Sequence, residues 1–144
     1  MIHRIADGND LALLASWNHE LIQDEGHRNS MSVHQLRDRM ETWLSAEYTA
    51  VLFDKDTMPI AYALYREDAD QLYLRQYFVR GGRRREGVGR EAINILRESI
   101  WQPHKRLTVD VLTSNESGVA FWCAVGYTDY CLTLEIMPNV QETT

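Results

Sequence analysis

A chain of 144 residues allows one domain with one core and is too short for two of the usual size. An apolar share of 44% and a charged share of 25% belong to a soluble globular protein, and no apolar run nears the roughly 20 residues of a membrane span. The net charge of −6 argues against general nucleic-acid binding, which needs a positive field, and suits a cationic substrate drawn in by acidic walls.

The opening MIHRIADGND has no apolar signal core, so the expected compartment is the cytoplasm. Cys123 and Cys131 lack a second pair, which leaves no zinc or disulfide framework and predicts two buried small residues. One domain is expected over residues 1–140, with 141–144 a frayed tail.

Residues 2–5 read as a short strand. Asp7 to Asp10 make a turn and helix start, and Leu11, Leu14, Ala15, Leu21 and Ile22 form an apolar stripe that Gly26 ends. Ser32 and Gln35 form a capping box, with Met31 and Leu36 as its hydrophobic staple, before a second helix that turns Leu36, Met40, Trp43 and Leu44 inward. Strands follow at about Tyr48–Asp54, Pro59–Glu67 and Leu72–Val79, the first two joined as a hairpin.

After Val79 the chain runs through Arg80–Glu86 into a helix predicted over Gly87–Trp101, with Val88, Ala92, Ile95, Leu96 and Ile100 at helical spacing. Residues 106–112 alternate as a strand, Asn115 caps a short helix ending at Gly126, and Thr128–Met137 alternates as a final strand. The order β, α, α, β, β, β, α, β, α, β predicts an α/β fold, a mainly antiparallel sheet with helices on both faces.

The stretch YFVRGGRRREGVGR, Tyr77 to Arg90, reads as a phosphate cradle. A helix start offers backbone N–H groups without partners and the positive end of the helix dipole. Gly87 and Gly89 remove side chains where a ligand would touch backbone, and Arg83, Arg84, Arg85 and Arg90 add positive charge.

These residues resemble the GNAT superfamily of acetyl-CoA-dependent N-acetyltransferases. Arg84-Arg-Glu-Gly87-Val-Gly89 matches its Gln/Arg-x-x-Gly-x-Gly/Ala motif, five residues after Val79, and Asn115-Glu-Ser-Gly118-Val-Ala-Phe121-Trp122 with Gly126-Tyr127 is similar to its later pattern. The resemblance covers nearly the whole chain. It implies that acetyl-CoA is held by Arg84, Arg85, Glu86, Gly87, Val88, Gly89 and Arg90 at the pyrophosphate. Phe78 and Val79 would hold the pantetheine arm, and Asn115, Gly118, Phe121 and Trp122 would close its other side. It further implies an oxyanion-stabilising strand edge, and a homodimer is common in the superfamily.

Two departures stand out: Gly118 replaces the usual alanine, and Trp122 replaces the tyrosine that protonates the leaving thiolate in many members. An indole donates a hydrogen bond but is no practical acid, so Tyr127 or Tyr130 substitutes, or solvent does. Many members carry a basic glutamate near the start of the fourth strand; here Tyr73, Arg75 and Gln76 are the polar residues.

Amine acetylation needs a group to take the amine's proton. Asp110 qualifies if it faces the cleft, where burial would raise its pKa. Glu20, Asp24 and Glu25, with His27, close the first helix where this superfamily often lines its acceptor site. The expected acceptor is a small-molecule or peptide amine, with no metal. Gly87-Val-Gly89-Arg-Glu-Ala92 also fits a dinucleotide fingerprint, but seven residues separate its first glycine from the strand and Asp110 is not at a strand end. Nucleic-acid binding through Arg80 and Arg83–Arg85 runs against the acidic balance, and a non-catalytic acyl-CoA sensor is the remaining alternative.

Overall fold

A computed structural model describes residues 1–83 and 87–139. Strands β1 (Ile2–Ile5), β2 (Tyr48–Lys55), β3 (Met58–Glu67), β4 (Gln71–Val79) and β5 (Arg106–Val109) form one sheet in chain order. The first three pairings are antiparallel and β4–β5 is parallel. Asp56 and Thr57 take positive φ in the tight β2–β3 turn, the geometry that matches the twist of a hairpin.

Alternate strand residues feed two cores. Tyr48, Ala50, Leu52, Tyr62, Leu64 and Phe78 meet Leu11, Leu14, Trp17 and Leu21 of α1 (Leu11–Glu25) and Met40 of α2 (Val33–Leu44). On the opposite face Val51, Phe53, Ala61, Ala63, Leu72 and Leu74 meet Val88, Ala92 and Ile93 of α3 (Val88–Ile95) and Trp122 of α4 (Glu116–Val125). The capping box forms as expected, with Ser32 Oγ accepting from the Gln35 N–H and the Gln35 side chain accepting from the Ser32 N–H. Met31 packs with Ala15, Ile22 and Leu36.

One irregularity in β4 positions the site. Tyr65 pairs with Leu74 and Leu64 with Gln76, so Arg75 is an extra residue, a bulge. The parallel ladder to β5 ends beside it, at Leu74 and Val109. Beyond this point β4 and β5 part.

Four expectations are corrected. The predicted final strand Thr128–Met137 pairs with nothing in the described sheet, and Tyr130 and Ile136 are 85% and 99% exposed. Its alternation is real, but alternation makes a strand only where an edge receives it. The predicted strand 106–112 stops at Val109, because the chain leaves β4 there. Both cysteines are exposed, Cys123 on the outer side of α4 and Cys131 in the unpaired segment. The predicted helix to Trp101 keeps its α geometry to Ile95, and residues 96–100 form a wider turn in which the Trp101 N–H donates to the Leu96 carbonyl at 2.6 Å. The tail 141–144 lies outside the described residues, and no helix among those described is long and apolar enough to cross a membrane.

Candidate active site

Helix α3 opens at the mouth of the split. Gly87 takes φ +73°, a conformation that disfavours a side chain, and a Cβ there would meet nothing within 4 Å. The first helical bond runs from the Glu91 N–H to the Gly87 carbonyl, so the N–H groups of Val88, Gly89 and Arg90 precede it without helical partners. The Val88 side chain is fully buried, which leaves its backbone as the only part to offer a ligand. At Gly89 a Cβ would lie 3.2 Å from the Phe121 ring. The Tyr77 hydroxyl donates to the Gly89 carbonyl at 2.5 Å, tying β4 to α3, and Arg90 donates to the Ala124 carbonyl of α4 at 3.4 Å. Three directed N–H groups around an uncrowded glycine fit a diphosphate. Arg84, Arg85 and Glu86 lie outside the described residues.

An aromatic wall joins this cradle to α4. Tyr77 stacks on Phe121 at 6.0 Å and meets Trp122 edge-on at 5.4 Å, and Trp122 meets Tyr127 edge-on at 5.4 Å. The Tyr127 hydroxyl is buried with no hydrogen-bond partner among the described residues, and burial pushes its pKa up to about 12. That placement disfavours the acid role expected for Tyr127. Asn115 caps α4, its Oδ1 accepting from the Gly118 N–H at 3.1 Å. A Cβ at Gly118 would stand 2.8 Å from the Asn115 Cγ, so the glycine in place of alanine leaves room for this cap. The Phe78 ring is buried against Trp17 and Tyr62, so its side chain is taken up by the α1 core.

Across β4 lies a polar island within the α1–α2 core. The buried Tyr62 hydroxyl donates to Oε1 of buried Gln76 at 2.9 Å, and burial raises the Tyr62 pKa, helped by the field of Glu25. Glu25 is itself raised, first by burial and then by Asp24, against the pull of His27, whose Nε2 lies 3.4 Å away. A carboxylate raised in this way is a better proton acceptor than an ordinary one. Glu20, Asp24 and His27 are exposed around it. Asp110 is exposed at the end of β5 and accepts from the Tyr73 hydroxyl at 2.8 Å. The burial expected of Asp110 is absent.

The bulge residue Arg75 and its neighbours Arg39 and Trp43 complete this side. Sequence reasoning named Arg75 only as a polar residue of the fourth strand and left Arg39 and Trp43 out of the site, although their i, i+4 spacing places them together on one face of α2.

The chain belongs to the GNAT acetyltransferase family: the family model for the acetyltransferase (GNAT) family matches residues 12–127. No curated protein matches the chain at a significant level. Among solved structures it is similar to the apo aminoglycoside 6'-N-acetyltransferase AAC(6')-Ig of Acinetobacter haemolyticus. That match has 16% identity and a TM-score of 0.76, over 98% of this chain and 100% of that one. It also resembles aminoglycoside N-acetyltransferase AAC(6')-Iy in complex with CoA, at 13% identity and TM-score 0.76 over 96% and 95% of the two chains. A predicted acetyltransferase of Clostridium acetobutylicum with acetyl-CoA matches at 15% identity and TM-score 0.71, over 94% and 95%. At these identities the likeness is one of fold.

Proposed function

We propose that the protein moves an acetyl group from acetyl-CoA to a primary amine by direct attack in a ternary complex. The carrying observation is the parting of β4 from β5 at Leu74, beside the open start of α3. The N–H groups of Val88, Gly89 and Arg90 would hold the pyrophosphate, joined by Arg84, Arg85 and Glu86, while the Gly87 backbone permits close approach. The β4 backbone at Phe78 and Val79 would lie along the pantetheine arm, with Asn115, Gly118, Phe121 and Trp122 across from it. Acetyl-CoA supplies an activated acyl carbon with a good leaving group.

Glu25 is the proton acceptor in this reading, because burial raises it and its field reaches Tyr62 beside Gln76. Asp24, Glu20 and His27 would draw in the ammonium form of the acceptor, and Asp110 stays engaged with Tyr73. Solvent protonates the thiolate, since neither Trp122 nor the buried Tyr127 hydroxyl suits the task. Aminoglycoside N-acetyltransferases among the structural neighbours support a small-molecule amine as acceptor.

The protein also works as a homodimer in this reading. Tyr130, Leu132, Leu134 and Ile136 form one apolar face of the unpaired segment, and β5 is the edge of the sheet, so exchange between two copies satisfies both. The double variant Leu132→Lys, Leu134→Lys is expected to halve the mass measured by light scattering.

The test of the activity is thermal unfolding with acetyl-CoA, CoA or NAD, followed by thiol release with a panel of amines. A rise with both CoA forms and none with NAD, then thiol release with an amine, is the expected result. A rise without thiol release for any amine favours a non-catalytic acyl-CoA-binding module, the reading that Trp122 also suits. No rise with either CoA form overturns the proposal.

A further inference from the structure

Two arginines bracket one indole at the bulge. The guanidinium carbon of Arg39 lies 4.3 Å from the centre of the Trp43 ring and that of Arg75 lies 4.5 Å from it. Stacking on an aromatic face holds each guanidinium in place while leaving its N–H edge open to accept a partner. Two like charges at one ring also repel, and Arg39 is held below its usual range, first by burial and then by the field of Arg75.

Their hydrogen-bond partners are neutral. Arg39 Nη2 donates to Asn18 Oδ1 at 3.3 Å, Arg75 Nη1 donates to the Tyr48 hydroxyl at 3.2 Å, and Arg39 Nε is buried with no acceptor among the described residues. Arg66, a neighbour over the same Tyr48 ring, has Glu47 at 3.7 Å. No carboxylate among the described residues forms an ion pair with Arg39 or Arg75. The chain carries −6 overall, yet it gathers uncompensated positive charge here.

The location gives the pair its meaning. Arg75 is the extra residue of the bulge, next to Gln76, where β4 leaves β5. Gln76 accepts from Tyr62, whose hydroxyl feels Glu25. A carboxylate for an ammonium and two guanidiniums for an anion therefore stand around one stretch of β4. Planar guanidiniums match a carboxylate in shape and charge.

We propose that Arg39 and Arg75 bind a carboxylate on the acceptor, which makes the acceptor an amino acid or a short peptide. This rests on the acetyl-transfer reading above. A polycation such as an aminoglycoside would meet the same two guanidiniums as repulsion.

The experiment compares matched acceptors: a panel of L-amino acids and dipeptides against the same compounds as C-terminal amides, with kanamycin as the polycation. The amide keeps the shape and loses the charge. Thiol release from acetyl-CoA is followed for the wild type, Arg75→Gln, Arg75→Lys and Arg39→Gln, and thermal unfolding with acetyl-CoA checks that each variant folds and binds the donor. Acids are expected to exceed their amides roughly tenfold in kcat/KM, mostly through KM, as loss of a charged hydrogen-bond partner implies. Arg75→Gln and Arg39→Gln should bring the acid down towards the amide, and Arg75→Lys should recover part of the difference.

Amides equal to or better than acids in the wild type, or kanamycin preferred to both, overturn the inference. So does a donor-binding protein that acetylates none of the panel, although the acetyl-CoA reading then survives. If acetyl-CoA itself fails to stabilise the folded wild type, the reading and this inference fall together.

Discussion

The two sides of the β4 split are built from different parts of the chain. On the side proposed for the donor the groups open to a ligand are backbone: three N–H groups at the start of α3, a glycine at φ +73°, and a strand whose side chains at Phe78 and Tyr77 are engaged in packing. On the side proposed for the acceptor they are side chains drawn from α1, α2 and β4: Glu25, Arg39, Trp43, Arg75 and Gln76. A backbone site constrains which residues must be absent, so it leaves glycines at fixed spacing. A site made of side chains from several elements can be rewritten one residue at a time, so the fold can keep its donor while changing its acceptor.

The largest effect that separates the two sides is expected from Glu25→Gln. Removing a general base costs about 10²- to 10⁴-fold in kcat, and the acetyl-CoA response in thermal unfolding should stay as it was. The sign with pH follows from the raised carboxyl: it accepts a proton only when ionised, so wild-type kcat falls as pH drops through its folded pKa. The variant should lose that acidic limb. If Glu25→Gln keeps both rate and limb, Asp110→Asn becomes the next variant to examine.

Gly87→Val attacks the donor side alone. A β-branched residue forced to φ +73° costs roughly 1–2 kcal/mol in backbone strain, and its branches would stand where the diphosphate is proposed to approach. Loss of about tenfold or more in acetyl-CoA affinity is expected by calorimetry, with KM for the amine moved less. Wild-type affinity would place the diphosphate elsewhere. Asn115→Ala is gentler: it removes the α4 cap and should lower stability by about 1 kcal/mol in denaturant unfolding, with a smaller effect on the donor.

The same contrast explains how much was legible in the sequence. The capping box at Ser32 and Gln35 and the stripe of α1 are local patterns, and both formed as read, while Gly87 and Gly89 fall at the start of α3. Arg75 in the sequence looks like an ordinary outward residue of an alternating strand. Only the register, Leu64 against Gln76 and Tyr65 against Leu74, makes it a bulge. Its meeting with Arg39 joins residues 36 positions apart, and no spacing rule reaches that far. Thr128–Met137 failed for the converse reason, since its period-two pattern is intact and the edge that would receive it is not supplied by the described chain.

The smallest expected effect tests whether the donor side needs any acid side chain at all. Tyr127→Phe removes a hydroxyl that is buried and has no partner among the described residues. A buried hydroxyl that gave up water without a protein partner is a cost to the fold, so its removal should be neutral or slightly stabilising in denaturant unfolding. Burial pushes its pKa up to about 12, which makes it a reluctant donor near neutral pH, and its ring meets Trp122 edge-on. Turnover in Tyr127→Phe should therefore stay within about twofold of wild type, well short of the loss that removing a general acid brings. A fall of a hundredfold, with acetyl-CoA binding intact, would mean that the hydroxyl moves into the split during turnover. The donor side would then depend on a side chain after all, and the division between backbone and side-chain halves would fail at Tyr127.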